Sequence, residues 1–137
     1  MTTADQIVPI DGEEGIVSAR QLARDVARTL GFGTVDQSRI ATAVSELARN
    51  VVHYATEGRG EVRIRQFTVD GGGAGIEVVV ADAGPGIADV DEVLQRGFTS
   101  GAGLGMGLPA TRRLMDEMEI DTALGRGTTI TIRKWRR

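Results

Sequence analysis

Two helical patterns follow one another between residues 13 and 54, and this succession constrains the fold more than any other feature. Apolar residues recur at helical spacing from Glu13 to Leu30. A second apolar stripe runs from Thr34 to about Tyr54, and Thr34 with Gln37 predicts a capping box at its start. Because no strand separates the two helices, strands and helices do not alternate one for one, as they do around a parallel doubly wound sheet.

Strand patterns precede and follow the helices. Residues 6–10 predict a short edge strand because they contain Pro9. Residues 61–69 alternate between apolar and polar, which predicts a half-buried strand. Residues 76–82 are too apolar to alternate and predict a central strand buried on both faces. The other predicted elements are a turn at 71–75, a helix from about Leu108 to Met118, and strands near 119–124 and 128–135.

The grouping of the strands predicts the fold class. We expect an α+β fold, a two-layer sandwich in which a mixed, mainly antiparallel sheet carries helices on one face. With 137 residues, the chain is expected to form a single domain spanning residues 1–137 and to be large enough for a hydrophobic core.

Composition and charge exclude several classes of protein. The absence of cysteine removes disulfides, thiolate catalysis and cysteine-based metal sites. A net charge of −3 creates no field that attracts nucleic acid or an anionic membrane. With no signal-peptide pattern and no apolar run long enough to span a bilayer, we expect a cytoplasmic protein without nucleic-acid or membrane partners. The one basic cluster is interpreted as a solvated strand end, and it comprises Arg133, Lys134, Arg136 and Arg137.

Glycines concentrate in one part of the chain, since eleven of the nineteen lie between residues 71 and 107. The segment ADAGPGI (81–87) ends the predicted central strand, and GAGLGMGL (101–108) leads into the predicted helix. Glycine lets backbone N–H groups converge on an anion, and a helix N-terminus adds partial positive charge. The pattern is therefore typical of a nucleotide site, although alternating glycines also occur in flexible surface turns.

The position of the only lysine, Lys134, excludes two kinds of phosphate site. A P-loop requires Gly-Lys-Ser/Thr, and a eukaryotic-type protein kinase requires a lysine on an early strand. The glycine spacing also differs from the dinucleotide-binding fingerprint. If nucleotide phosphates bind this chain, backbone amides, arginine and a metal ion must neutralise them.

Three polar side chains are candidates for the chemistry. Glu46 and Asn50 lie four residues apart on the second helix, so they project from one face. They form either a solvated polar face or a Mg²⁺ site, and Glu46 alternatively accepts a proton from an attacking hydroxyl. Asp82 ends an apolar strand, where it either caps the following turn or accepts a hydrogen bond from a ligand such as the adenine amino group.

Four short segments, taken in order, resemble the sequence boxes of the GHKL ATPase/kinase superfamily. They are ELARN (46–50), DAGPGI (82–87), GLGMGL (103–108) and GRGTT (125–129). Fourteen residues, 87–100, separate Gly86 from Gly101, which implies a short ATP lid similar to that of the bacterial serine kinases of partner-switching pathways. Residues 30–50 and the ending around Lys134 and Trp135 resemble the switch kinases of the stressosome, a likeness that runs from about residue 6 to the end.

The resemblance implies the Bergerat ATP-binding fold, ATP and Mg²⁺ as cofactors, and a role for each matched residue. Glu46 is implied to be the general base and Asn50 the Mg²⁺ ligand. Asp82 is implied to bind the adenine amino group, and Thr128 to bind adenine through water. The other positions implied to bind the cofactor are Gly84 and Gly86 at the adenine, Gly103, Gly105, Gly107 and Leu108 at the phosphates, and Arg49 at phosphate or a partner.

The implied function is phosphoryl transfer. The resemblance predicts an ATP-dependent protein serine/threonine kinase that phosphorylates a STAS-domain antagonist and, when released, activates a PP2C-type phosphatase. Two alternatives stay open: an anti-sigma factor with serine kinase activity, and a nucleotide-regulated module that works by exchanging partners. The expected partners are therefore STAS-domain proteins and a PP2C-type phosphatase.

Overall fold

The structure is a computed structural model, and it describes residues 5–55, 58–69, 72–82, 108–123, 125 and 127–136. In chain order their elements are β1 (Gln6–Asp11), α1 (Glu13–Thr29), α2 (Thr34–Tyr54), β2 (Arg59–Val69), β3 (Gly73–Asp82), α3 (Leu108–Leu114), β4 (Glu117–Ala123) and β5 (Gly127–Trp135). None of these helices combines the length and apolar character needed to cross a membrane.

The strands form one sheet in the order β1-β2-β3-β5-β4. Every pairing among the described strands is antiparallel. β3 lies at the centre, between β2 and β5, as its apolar sequence predicted, and the Pro9-containing β1 lies at an edge. The predicted α+β class is confirmed.

The hydrophobic core lies between one face of the sheet and the helices. The register places Ile64, Val78 and Ile132 side by side on this face, and none of them is more than 1% exposed. Full burial of such a side chain contributes about 1.5–3 kcal/mol, so this contact holds α2 firmly over the sheet. The residues that α2 adds to the same cluster include Ile40, Val44, Leu47 and Val51.

On the other face of β3, charged side chains rather than any of the described helices cover the strand. Glu77 is only 6% exposed there, and its two carboxylate oxygens lie 2.6 Å from Arg65 Nε and 2.7 Å from Arg133 Nε. A buried carboxylate is tolerated only when it is paired, and the two guanidinium groups supply that pairing. The prediction that β3 is buried on both faces therefore holds for its centre, but ion pairs rather than apolar packing bury the second face.

Helix α3 is shorter than the sequence predicted, because it ends at Leu114 and β4 begins at Glu117. Asp116 causes this change of direction. Its N–H donates to the Arg133 carbonyl at 3.0 Å, and its carboxylate accepts the Trp135 N–H at 2.8 Å. These two hydrogen bonds to β5 hold residue 116 in place, and the helix does not continue for another turn. The predicted turn at 71–75 was also too long, since β3 begins at Gly73.

The start of α2 does not form the predicted capping box. Gly33, not Thr34, is the N-cap residue, and no side chain caps the helix. The Gln37 side chain instead reaches back past the N-cap and donates from Nε2 to the Phe32 carbonyl at 2.8 Å. Because Thr34 lies inside the first turn, it cannot make the reciprocal bond that a capping box requires.

Lys134 is buried, contrary to the prediction of a solvated strand end. It is 7% exposed, and its Nζ donates to the Leu114 carbonyl at 2.9 Å and lies 3.9 Å from Asp36 Oδ1. A lysine near the last carbonyl groups of a helix stabilises that end. The only lysine of the chain therefore joins β5 to the end of α3 and the start of α2.

Candidate functional site

The C-terminal half of α2 carries three of the predicted site residues. Leu47 and Val51 point into the core. Glu46, Arg49 and Asn50 therefore lie on the more exposed side of the helix. Arg49 Nη1 lies 3.2 Å from Glu46 Oε1, and the side chains of Arg49 and Glu46 are 44% and 34% exposed. The carboxylate is thus held beside a guanidinium group and stays within reach of solvent.

Asp82 and Thr128 are brought together at the end of the sheet, although they lie 46 positions apart in sequence. Asp82 continues the helix-facing side of β3, two residues beyond the buried Val80. The backbone N–H of Thr128 donates to Asp82 Oδ1 at 3.2 Å. This bond orients the carboxylate from the neighbouring strand β5.

Thr122 belongs to the same polar cluster, and the sequence analysis missed it. Its hydroxyl donates to the Gly127 carbonyl at 3.1 Å and lies 2.9 Å from the Thr128 hydroxyl. Since the Thr122 proton is used on a carbonyl, Thr128 is the donor between the two hydroxyls. Residues 122 and 128 pair across the β4–β5 hairpin, which is centred on Gly125. The turn predicted from the sequence at Gly125–Gly127 therefore implied that these two residues lie side by side.

Gly60 marks where α2 approaches the end of the sheet. It pairs with Asp82 across the β2–β3 ladder. A Cβ atom built on Gly60 would lie 2.8 Å from Val51 Cγ1 and 3.3 Å from Asp82 Cβ. Val51 directly follows Asn50 on α2, so the helix that carries Glu46 and Asn50 lies over the strand end that carries Asp82.

The remaining predicted site residues fall into two groups. Leu108 begins α3 and is 1% exposed, so its side chain packs in the hydrophobic core. The predicted glycines Gly84, Gly86, Gly103, Gly105 and Gly107 lie outside the described residues.

The oxygen atoms on α2 suit Mg²⁺, which takes few protein ligands, better than they suit a metal ion bound entirely by protein side chains. Among the described residues, no three His, Cys, Asp or Glu side chains cluster as a metal site. Mg²⁺ takes one or two protein oxygens and completes its octahedron with phosphate oxygens and water. The Asn50 amide and the nearby Glu46 carboxylate match that requirement.

Helix α2 carries a carboxylate and an amide and packs over the end of an antiparallel sheet that presents a second carboxylate. This arrangement is that of an α+β domain suited to binding a nucleotide. The family description "Histidine kinase-like ATPase domain" matches residues 12–134. The chain belongs to this family of ATPase domains, and the resemblance that its four sequence boxes carry is confirmed.

Individual relatives agree with this membership. The chain is 51% identical over 130 residues to the serine/threonine-protein kinase RsbT of Bacillus subtilis (strain 168), covering 95% of this chain and 96% of the relative. It is 36% identical over 100 residues to an anti-sigma F factor of Caldanaerobacter subterraneus, covering 70% of this chain and 68% of the relative.

Two solved structures share the fold. The crystal structure of the RsbU and RsbW domains of a Mycobacterium tuberculosis protein superposes with a TM-score of 0.63 at 21% identity, covering 98% of this chain and 33% of the other. The SiaB–SiaC complex of Pseudomonas aeruginosa gives 0.58 at 14% identity, with coverage of 98% and 90%. At these identities the similarity concerns the fold alone.

Proposed function

We propose that the chain is an ATP-dependent serine/threonine protein kinase whose substrate is a STAS-domain antagonist in a partner-switching pathway. The observation that carries this proposal is the 51% identity to a serine/threonine-protein kinase over 95% of this chain and 96% of the relative. Similarity over both chains almost from end to end extends beyond the nucleotide site, so it supports a shared activity and a shared class of partner. By the same likeness to the switch kinases, the kinase also activates a PP2C-type phosphatase once it is released from its STAS-domain partner.

ATP bound with Mg²⁺ supplies the phosphoryl group, and the chain's own residues hold and orient it. Asp82 accepts a hydrogen bond from the adenine amino group, and its carboxylate is oriented for this by the Thr128 N–H. Asn50 offers its amide oxygen to Mg²⁺. The glycines predicted at the adenine and the phosphates complete the proposed nucleotide contacts.

Glu46 acts on the protein substrate rather than on the nucleotide. Its carboxylate orients the serine or threonine hydroxyl and takes the proton as the oxygen bonds to the γ-phosphorus and the bond to the leaving ADP breaks. Arg49, 3.2 Å from that carboxylate, holds it in place and is the candidate for contact with phosphate or the partner. Phosphoryl transfer depends on such positioning and charge neutralisation more than on covalent help from the protein.

The test is transfer of labelled phosphate from ATP to the STAS-domain protein encoded nearest to this chain. We expect the wild type to phosphorylate it and Glu46→Ala to lose about 10²- to 10⁴-fold in rate, the usual contribution of a general base. Glu14→Ala is the matched control, because it removes an exposed carboxylate from α1 and leaves α2 intact. Absence of transfer by the wild type, or full transfer by Glu46→Ala, would contradict the mechanism.

A second candidate function is direct control of a sigma subunit, which the 36% identity to an anti-sigma F factor favours. Under this alternative the chain binds a sigma factor in the presence of ADP or ATP. A pull-down with and without nucleotide distinguishes the two functions. Capture of sigma factor only with nucleotide supports the alternative, and capture of the STAS-domain protein alone supports the kinase of a switching pathway.

A further inference from the structure

Gly60 lies near the start of strand β2, so no turn explains why a glycine stands at this position. Gly58, two residues earlier, has a φ of 65°, which itself favours glycine. Gly60 is not among the glycines with positive φ, so other residues could adopt its backbone conformation. What Gly60 lacks is room for a side chain, since a Cβ atom there would collide with the Ala81 carbonyl oxygen and approach Val51 Cγ1 to 2.8 Å.

These two contacts belong to the two halves of the candidate site. Ala81 precedes Asp82 on β3, and its carbonyl oxygen is backbone, so it cannot rotate away from an added methyl group. Val51 follows Asn50 on α2 and is 2% exposed, so its side chain is enclosed by the core. An added methyl group at position 60 must therefore move the strand end, the helix, or both.

We infer that Gly60 is a positioning residue that sets the spacing between α2, with Glu46 and Asn50, and the end of β3, with Asp82. This inference rests on the proposed function, because the spacing matters only if one nucleotide contacts both elements. Asp82 is additionally held by the Thr128 N–H, so a shift of β3 relative to β5 also disturbs the orientation of its carboxylate. A displacement of about 1 Å at such a site lowers turnover by up to about a hundredfold.

The experiment compares three glycine-to-alanine variants by calorimetric ADP and ATP binding and by thermal unfolding. Gly60→Ala is the test. Gly75→Ala is a matched clash, because a Cβ there collides with the Phe67 ring and lies 2.7 Å from the Lys134 carbonyl, near the opposite end of the same β2–β3 ladder. Gly33→Ala is the control without a clash, because the N-cap residue Gly33 has a φ of −68° and no atom of the described residues lies within 4 Å of the added Cβ.

We expect Gly60→Ala to weaken nucleotide binding by about tenfold or more, at a temperature where it is folded. Gly75→Ala loses thermal stability and keeps the wild-type dissociation constant. Gly33→Ala also keeps the wild-type dissociation constant, and its thermal stability falls only slightly because alanine is a less favoured N-cap residue. In the kinase assay, Gly60→Ala raises the KM for ATP and lowers kcat, a pattern that loss of folded protein alone does not produce.

Wild-type affinity in Gly60→Ala would overturn the inference, and so would an equal loss of affinity in Gly75→Ala. If Gly60→Ala does not fold, the double variant Gly60→Ala/Val51→Ala is compared with Val51→Ala, since the second change removes the helix side of the clash. Because the clash with the Ala81 carbonyl remains in the double variant and still displaces the end of β3, equal affinities in that pair would also overturn the inference. If the wild type binds no nucleotide, the proposed function itself fails, and this outcome is distinct because no variant is needed to see it.

Discussion

Strand β3 carries two carboxylates five residues apart, and they lie on opposite faces of the sheet. Glu77, on the face that none of the described helices covers, forms ion pairs with Arg65 and Arg133 at 2.6 and 2.7 Å. Asp82, at the end of the helix-facing side, accepts a hydrogen bond from the Thr128 N–H at 3.2 Å. One carboxylate is neutralised by two cations, and the other is oriented by a backbone amide.

The difference separates a carboxylate held by ion pairs from one whose direction is set by a backbone amide. The ion pairs of Glu77 extend through Arg133 Nη1 to Glu119 and Glu117, at 3.0 and 3.4 Å, so together with Arg65 on β2 they join four strands. A hydrogen bond from an amide fixes the direction of a carboxylate without cancelling its charge, and a carboxylate can accept hydrogen bonds from more than one donor. The two positions therefore respond in opposite ways to the same kind of substitution.

Between the two carboxylates of β3, the larger expected effect is on nucleotide binding by Asp82→Asn. The amide keeps one oxygen for the Thr128 N–H but presents an NH₂ group, which repels the adenine amino group that the carboxylate is proposed to accept. A hydrogen bond to a charged group contributes about 1.5–3 kcal/mol, so affinity for ATP and ADP should fall by about ten- to a hundredfold. Calorimetry measures the affinity, and a nearly unchanged midpoint of thermal unfolding shows that the fold is retained. An unchanged dissociation constant would remove Asp82 from the site.

The second prediction is the converse and concerns Glu77→Gln. Replacing the carboxylate leaves Arg65 and Arg133 without their shared counter-charge, but both remain partly exposed to water. We expect the free energy of unfolding to fall by about 1–2 kcal/mol, less than for a fully buried pair. Urea denaturation measures it, and nucleotide affinity should equal that of the wild type. Loss of affinity in this variant would show that the two faces of the sheet are coupled.

Local pattern predicted the elements whose surroundings follow their own periodicity. The stripes of α1 and α2, the edge position of β1 and the central position of β3 are all confirmed. Two of the errors occurred where a distant partner decides the outcome. Met118 continues the apolar spacing of α3, yet Asp116 pairs with β5 and ends the helix. Lys134 lies in a basic cluster, yet its ammonium group meets the end of α3.

The same division applies to the candidate site. The sequence boxes predicted Asp82 and Thr128, and the structure places them in contact across β3 and β5. Gly60 lies in none of the boxes. Its requirement for space arises only when α2 has packed onto the sheet, because the opposing atoms belong to Val51 and Ala81. No local pattern around a glycine reports such a distance, and a three-dimensional structure is needed to see it.

The smallest expected effect is on the pH dependence of stability, and it again contrasts the two carboxylates. Burial by itself raises the pKa of Glu77, but the hydrogen bonds and charges of Arg133 and Arg65 outweigh it and hold the pKa below its ordinary value of 4.5. A carboxyl group with a lowered pKa in the folded state stabilises the protein above its unfolded pKa, and this contribution is lost as the pH falls through the folded value. The wild type should therefore lose more stability than Glu77→Gln as the pH falls below about 4.5, with a difference of about 1 kcal/mol or less because water screens the partly exposed arginines. Urea denaturation of both proteins at a series of pH values from neutral downward measures this difference. Parallel curves would mean that the ion pairs of Glu77 do no more than offset the cost of burying its charge.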